Sequence, residues 1–283
     1  MITTDLCIAR LHIRIQCEAS ACCEGVEALT ALFERGPASG HPDICFTLRT
    51  ADGTTALDCN GEHIWQGREA GELVAVFEWS LYNRAIAALY PHYVSLHAAT
   101  VRCKEQGICI AGTSGAGKSS LCTVALLHGA DYLSDEYSLL DHEGRITPFP
   151  RPLQWGGVSH PAFPGETMHD SGLFDEGSYS FTGRDGQTIT SRLWHPKHLA
   201  THPVDMSLLI LPRFDATAGK VRCEPLARSQ GLMELAAEMH HELPAQERLR
   251  ELHRRIPGKT RMLRLAFPDV HAAWSVVEQQ LSA

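Results

Sequence analysis

From residue 6 to residue 16 the chain reads LCIARLHIRIQ, with apolar side chains at Cys7, Ala9, Leu11, Ile13 and Ile15 and mostly polar ones between them. That alternation turns one face of a strand to a core and the other to water, so a half-buried strand is predicted. The period changes over Gly25–Arg35, where Val26, Leu29, Leu32 and Phe33 recur at the spacing of a short amphipathic helix. Ile44–Leu48 and His63–Gln66 read as further strands, separated by the turn signals Ala51-Asp52-Gly53 and Asn60-Gly61. A helical run rich in Val, Ala, Leu and aromatics follows from Glu72 to Leu89 and ends before Pro91. Together these elements predict a small N-terminal α+β unit over residues 1–92, a candidate for substrate recognition.

A second unit is expected over residues 93–283. Val94–Arg102 and Gly107–Ala111 are strand-like, Ser120–Leu127 is helical, and Gly129 stands where a helix C-terminus favours positive φ. Tyr132–Leu133 and Tyr137–Leu140 are further strand segments, with a turn at Glu143-Gly144 and a buried-strand candidate at Met206–Leu211 (MSLLIL). Helical patterns occupy Gln230–His241, Gln246–Arg254 and Val270–Leu281, the last expected to pack against the sheet. Strands interleaved with helices make this an α/β chain. Residues 148–190 are rich in Pro, Gly, Ser and Asp and read as loops, a candidate substrate or lid segment.

Composition narrows the partners. The 283 residues are 44% hydrophobic and 20% charged, ordinary for a globular chain long enough to bury a core. A formal charge of −8 argues against general binding to nucleic acid or to an anionic membrane surface. The basic run Arg248, Arg250, Arg254, Arg255, Lys259 and Arg261 is interrupted by acids and Pro257 and reads as a solvated helix face. Ten cysteines contain no C-x-x-C pair, and several (Cys7, Cys45, Cys109) sit in apolar runs where a thiol acts as a small core residue. His198–His202 and His240–His241 lack the neighbours of a zinc site. The start MITTDLCIARLHI has no signal-peptide pattern, and no run approaches the ~18–20 apolar residues of a membrane span. A reduced, cytoplasmic protein is expected.

The chemistry concentrates in QGICIAGTSGAGKSSLCTVALL, residues 106–127. Gly112, Thr113, Ser114, Gly115, Ala116, Gly117, Lys118 and Ser119 spell the P-loop pattern, entered from an apolar strand-like run and left through a helix-like one that begins at Ser120. The glycines let successive N–H groups converge on phosphate oxygens at a helix N-terminus. Lys118 can reach the β- and γ-phosphates, and the Ser119 hydroxyl can ligate Mg²⁺. A nucleoside triphosphate is therefore the expected ligand.

What becomes of the γ-phosphate depends on the neighbours. His97 lies fifteen residues before Gly112, and Asp135 and Glu136 lie seventeen and eighteen after Lys118. If Gly107–Ala111 and Leu133–Asp135 are neighbouring strands, both carboxylates emerge beside the loop, one to hold Mg²⁺ and one to accept a hydroxyl proton. His97 reads either as a further member of that centre or as a hydrogen-bonded core histidine. Three activities fit: a kinase for a Ser hydroxyl on a peptide or small protein, a kinase for a small-molecule hydroxyl, and a nucleotide-binding regulatory protein without transfer.

The stretch LHAATVRCKEQGICIAGTSGAGKSSL…HGADYLSDEYSLL resembles the catalytic core of bacterial HPr kinase/phosphorylase, whose P-loop fold is shared with ATP-using phosphoenolpyruvate carboxykinases. That family places a His fifteen residues before its P-loop and an acidic pair after a short glycine-led segment. His97, Gly112–Ser119 and Asp135 fall on those positions, with Glu136 where the family usually has a second Asp. The resemblance is specific over residues 95–140 and absent from the first 90. Leu96-His97-Ala98 and Pro150-Arg151-Pro152-Leu153 also match landmarks of stand-alone HPr-kinase-like proteins of peptide natural-product clusters, some of which phosphorylate a C-terminal Ser of a lasso-peptide precursor. The resemblance implies an ATP- and Mg²⁺-dependent peptide kinase. In it Asp135 is the general base, His97 tunes that base, Lys118 neutralises the γ-phosphate, and Ser119 with Glu136 or Asp135 holds the metal. It also implies a homo-oligomer, since relatives form hexamers. No counterpart of the phosphorylase signatures is present, which leaves the forward transfer. Arg151 reads equally as an anion contact or as a structural loop arginine.

Overall fold

A computed structural model describes residues 2–36, 40–154, 162–163, 165–183 and 186–282 of the chain. The fold is mixed α/β, in two compact units. Residues up to Tyr90, the described residues from Arg151 to Gln154, and Phe174–His195 form the first; Pro91–Pro150, the described part of 161–173 and the chain from Pro196 onward form the second.

The strand predicted over residues 6–16 is two strands. β1 (Ile2–Ile8) and β2 (Leu11–Cys17) pair antiparallel, with Ile8 opposite Leu11 and a tight turn at Ala9, whose φ is 54°. The turn shifts the alternation, so the buried set is Leu6 and Ile8 on β1, then Leu11, Ile13 and Ile15 on β2. Helix α1 (Cys23–Thr30) stops short of its predicted end, and Glu34–Arg35 forms the short edge strand β3. β4 (Ile44–Ala51), β5 (Thr54–Cys59) and β6 (Glu62–Gly67) are successive antiparallel strands. Their turns use Asp52-Gly53 and Asn60-Gly61, all at positive φ, as two-residue hairpins prefer. The sheet order is β3-β1-β2-β4-β5-β6. Helix α2 (Ala70–Leu89) buries Leu73, Phe77 and Leu81 along one stripe, and Phe46 of β4 meets Phe77 edge-on with centroids 5.4 Å apart.

The second unit opens with β7 (Val94–Leu96), β8 (Ala98–Cys103) and β9 (Gln106–Ala111), then helix α3 (Lys118–Leu127). β10 (Asp131–Ser134), β11 (Ser138–Leu140) and β12 (Arg145–Thr147) follow. The segment expected to be loops contains α4 (Gly165–Asp170) and a two-stranded ribbon of β13 (Phe174–Thr182) and β14 (Thr188–Pro196). The rest of that expectation, residues 155–161, 164 and 184–185, lies outside the described residues. The chain then supplies β15 (Val204–Phe214), β16 (Arg222–Pro225), α5 (Arg228–Ala237), α6 (Ala245–Arg255), β17 (Arg261–Phe267) and α7 (Val270–Ser282). Nine strands make one mixed sheet, ordered β10-β8-β9-β15-β12-β11-β7, with β17 beside β15 and β16 beside β17. β9, β15 and β17 run parallel, and β8 runs antiparallel to β9.

Two expectations about this sheet need correction. Val94–Arg102 is interrupted at His97, where the chain passes from β7, paired with β11, to β8, paired with β9 and β10. The strands carrying the P-loop and the acidic pair are also not neighbours, because β8 lies between β9 and β10. β8 runs antiparallel to both, so β9 and β10 still end on the same side of the sheet, where β8 begins. Among the described residues, no helix is long and apolar enough to cross a membrane.

Candidate phosphate-binding and phosphoryl-transfer site

The P-loop connects the end of β9 to α3. Gly115 and Gly117 take φ of 80° and 100°, which L side chains rarely adopt. At Gly117 the constraint is also steric: a Cβ there would lie 2.7 Å from the ring of Phe267 on β17. Gly115 faces open space, so the backbone at the crown of the loop is bare. Lys118, Ser119 and Ser120 form the first turn of α3, where N–H groups have no intrahelical partner. Lys118 is 5% exposed, and its ammonium donates to the Thr113 carbonyl at 3.2 Å, across the loop. A cavity of about 670 Å³ opens over Gly112–Ala116, walled by Leu211–Phe214 of β15, Glu234 and Glu238 from α5 and its C-terminus, and Arg264 of β17. It lies at the carboxyl ends of parallel strands, where α/β sheets bind ligands.

Beside the loop, the sheet contains a seam. The pairs Leu96–Ser138 (β7–β11) and Thr100–Ser134 (β8–β10) keep one antiparallel register, so both strands are interrupted at the same level. His97 fills the gap on one strand and Asp135, Glu136 and Tyr137 fill it on the other. Glu136 takes φ 74° there, a conformation that costs a non-glycine residue about 1–3 kcal/mol and persists only when its surroundings enforce it. The break turns the His97 imidazole toward Glu136, Nε2 lying 2.8 Å from Oε2.

The other face of His97 is held by a residue that the sequence pattern did not reveal. Nδ1 lies 3.0 Å from Glu238 Oε2, and the His97 N–H donates to the Glu238 carbonyl at 2.6 Å. The predicted helix over 230–241 ends early for this reason: after α5, residues 238–241 pair with β7. Met239 bridges Leu96, the His240 N–H donates to Ser95 O, and His241 Nε2 accepts from the Ser95 N–H at 3.0 Å. His240 Nδ1 lies 2.9 Å from Ser95 Oγ, and its ring lies 4.9 Å from Tyr137 and 5.9 Å from His97. The adjacent histidines after an acid were the available signal, and only the strand pairing gives them a role.

Asp135 is 2% exposed at the end of β10. Its charge reaches α3: the Cys122 thiol is pushed well above its ordinary pKa, by burial first and by Asp135 second. Cys122 stands one helical turn after Lys118 on the same helix, so Asp135 is within electrostatic reach of α3. Lys118 is likewise close enough to oppose protonation of both His97 and His240. Lys118, His97, Asp135, Glu136 and Glu238 thus share one centre. Arg151 belongs to the first unit, where it is 8% exposed. Its guanidinium donates to Gln154 at 2.6 Å, lies 3.6 Å from Glu78, and covers the ring of Tyr82.

The charges set a pH dependence. The hydrogen bond to Glu136 holds His97 above its ordinary pKa, against partial burial and Lys118, with Glu238 reinforcing it. Its contribution to stability is complete below pH 6.5 and is lost as pH rises through that raised value. His240 behaves oppositely: burial first, then the charges of His97, His241 and Lys118, depress it to about 4, with only Glu136 opposing. Between pH 6.5 and about 4 the unfolded chain binds the proton that folded His240 refuses. Stability should therefore fall on acidification, by at most about 1.4 kcal/mol per pH unit for one such group. His240→Asn is expected to flatten the acid side of the thermal-midpoint profile between pH 6.5 and 4.5; an unchanged slope would show that another group titrates.

All ten cysteines are free thiols in the structure. Among the described residues, no group of three or more His, Cys, Asp or Glu side chains could hold a metal ion. The donors present do suit Mg²⁺ arriving with a nucleotide, because Mg²⁺ keeps waters and takes only one or two carboxylates beside phosphate oxygens. The Ser119 hydroxyl in the first turn of α3 and the buried Asp135 carboxylate after β10 are donors of that kind. No protein-family model matches this chain, and no curated protein matches it.

Proposed function

We propose that the second unit is an ATP-dependent kinase with a P-loop core of the HPr kinase type, and that it phosphorylates a Ser hydroxyl of a peptide. The observation that carries this reading is the seam, which sets a buried carboxylate and a doubly anchored histidine beside Lys118. Binding a nucleotide needs only the loop. A base for a hydroxyl is the additional requirement of transfer to an alcohol.

In this reading the loop N–H groups and Lys118 grip the β- and γ-phosphates and neutralise their charge. Bound Mg²⁺, held through the Ser119 hydroxyl with Asp135 or Glu136, would add Lewis-acid neutralisation of the same oxygens. Asp135 takes the proton of the acceptor hydroxyl as that oxygen bonds to the γ-phosphorus. The bond from the γ-phosphorus to the β–γ bridging oxygen breaks, and the nucleoside diphosphate leaves with the electron pair. His97, fixed between Glu136 and Glu238 and held above its ordinary pKa by Glu136, keeps a positive charge in the same seam as Asp135. The resemblance of residues 95–140 to HPr kinase, and of the Leu96-His97-Ala98 and Pro150–Leu153 landmarks to kinases of peptide clusters, supports a peptide acceptor over a small molecule.

The direct test is mass spectrometry of short peptides ending in Ser after incubation with the protein, ATP and Mg²⁺. One added phosphate on the Ser is the expected product. ATP binding without transfer to any peptide or small alcohol would favour a regulatory nucleotide-binding protein instead.

A further inference from the structure

The cavity over the P-loop has two distinct ends. At one, Glu238 connects it to His97 and the transfer centre. At the other stands Phe214, the last residue of β15, 51% exposed although it is a large apolar side chain. Its position relative to the loop is closely determined. The Phe214 N–H donates to the carbonyl of Ala116, a P-loop residue, at 3.1 Å. Its ring meets Phe267 at 63°, with centroids 5.9 Å apart, and Phe267 is the buried ring that packs against Gly117. One hydrogen bond and one aromatic contact therefore tie Phe214 to the carboxyl end of the loop, at Ala116 and Gly117. Lower on the cavity wall, level with Leu211, Arg264 is ion-paired to Glu234.

The direction of a bound triphosphate follows from the strand order. The strand order sets β8 and β10, which adjoin His97 and Asp135, on one side of β9 and sets β15 and β17 on the other; β7 and β11, joined by the same residues, reach only the amino-terminal end of β15, through β12. A linear triphosphate with its γ-phosphate at the β8 and β10 ends would send its nucleoside toward the carboxyl ends of β15 and β17. There it meets the exposed aromatic face of Phe214.

We propose that Phe214 is the stacking platform for the base of a purine nucleoside triphosphate whose phosphates lie in the Gly112–Ser119 loop. The assignment rests on the loop being a triphosphate site, as proposed above, and adds which part of the molecule discriminates among triphosphates. A purine is chosen because its two fused rings cover more of an exposed phenyl face than a pyrimidine does.

The test compares ATP, CTP and inorganic tripolyphosphate, each with Mg²⁺, by titration calorimetry on the wild-type protein and Phe214→Ala. The wild type should bind ATP at least tenfold more tightly than tripolyphosphate and more tightly than CTP. Phe214→Ala should weaken ATP by about tenfold, the range of one base–aromatic stack, and leave tripolyphosphate within twofold. Phe214→Trp should keep ATP affinity and show indole quenching by ATP, beyond that of the wild type, which tripolyphosphate does not produce. Equal losses for ATP and tripolyphosphate, or no loss for either, would overturn the platform. A wild type that binds CTP as tightly as ATP would overturn the purine assignment. Binding of tripolyphosphate as tight as that of ATP would refute the base site and leave the phosphate grip standing, whereas failure of every ligand to bind would refute both.

Discussion

Asp135→Asn is expected to slow phosphoryl transfer by about a thousandfold, the usual loss when a general base is removed, while ATP affinity stays within a few-fold of wild type. The amide keeps the shape of the buried carboxylate but cannot accept the hydroxyl proton. Selectivity is the critical part of the result, since Asp135 is buried within electrostatic reach of α3 and its loss can also affect binding. Lys118→Ala supplies the contrast: it removes the cation that spans the loop and should lose ATP binding and transfer together. Single-turnover rates with saturating ATP, beside calorimetric affinities, separate the two patterns. Transfer by Asp135→Asn at near wild-type rate would remove Asp135 from the base role. Equal losses of binding and transfer would reassign it to the metal.

The second large effect concerns folding of the same unit. Arg255, near the end of α6, is 2% exposed, and its guanidinium donates to the carbonyls of His92 (3.0 Å), Leu140 (3.3 Å) and Pro91 (2.6 Å), with Glu251 3.2 Å away. It binds the entry to β7 and the end of β11 to one helix, and those two strands hold the seam. Arg255→Ala would strand three carbonyls, whereas Glu251 keeps Arg254 at 2.8 Å. A loss of about 3–5 kcal/mol is expected, from three buried acceptors at about 1–3 kcal/mol each. Urea unfolding followed by far-ultraviolet circular dichroism should show it, and Arg255→Lys should recover part of the loss by restoring a donor to one of the carbonyls. A change below about 1 kcal/mol for Arg255→Ala would mean that water reaches the carbonyls. The sequence reading placed Arg255 in a solvated basic face, and the structure corrects that for this member of the run.

Legibility varied with the range of the physics. The long helix α2 and the Asp52-Gly53 and Asn60-Gly61 turns were readable because an apolar stripe and a positive-φ turn are local properties. β1 and β2 were merged because a two-residue turn at Ala9-Arg10 carries neither Gly nor Pro, so the alternation ran on through it. β17 was missed since Arg261, at its start, was read as part of a charged helix face. Yet Met262, Leu263, Leu265 and Phe267 are buried against parallel β15. The ribbon of β13 and β14 was missed because its polar faces offer weak alternation, and its strands are specified by pairing with each other.

By itself the sequence singled out Gly112–Ser119 as the candidate phosphate grip. Every group it needs, the turning glycines, the converging N–H groups, Lys118 and Ser119, lies within eight consecutive residues, so the chemistry is encoded by local backbone geometry. It also singled out His97, Asp135 and Glu136 as neighbours worth weighing. Only the tertiary structure decided how they meet. The insertion of β8 between β9 and β10, the matched break in two strand pairs, and Glu238 reaching His97 from 141 residues away are long-range pairings. No local pattern specifies them, because they are selected by burying the sheet and satisfying its backbone as a whole. The same holds for Phe214, an unremarkable strand-end aromatic in the sequence, which one hydrogen bond to Ala116 and one contact with Phe267 bring to the edge of the phosphate site.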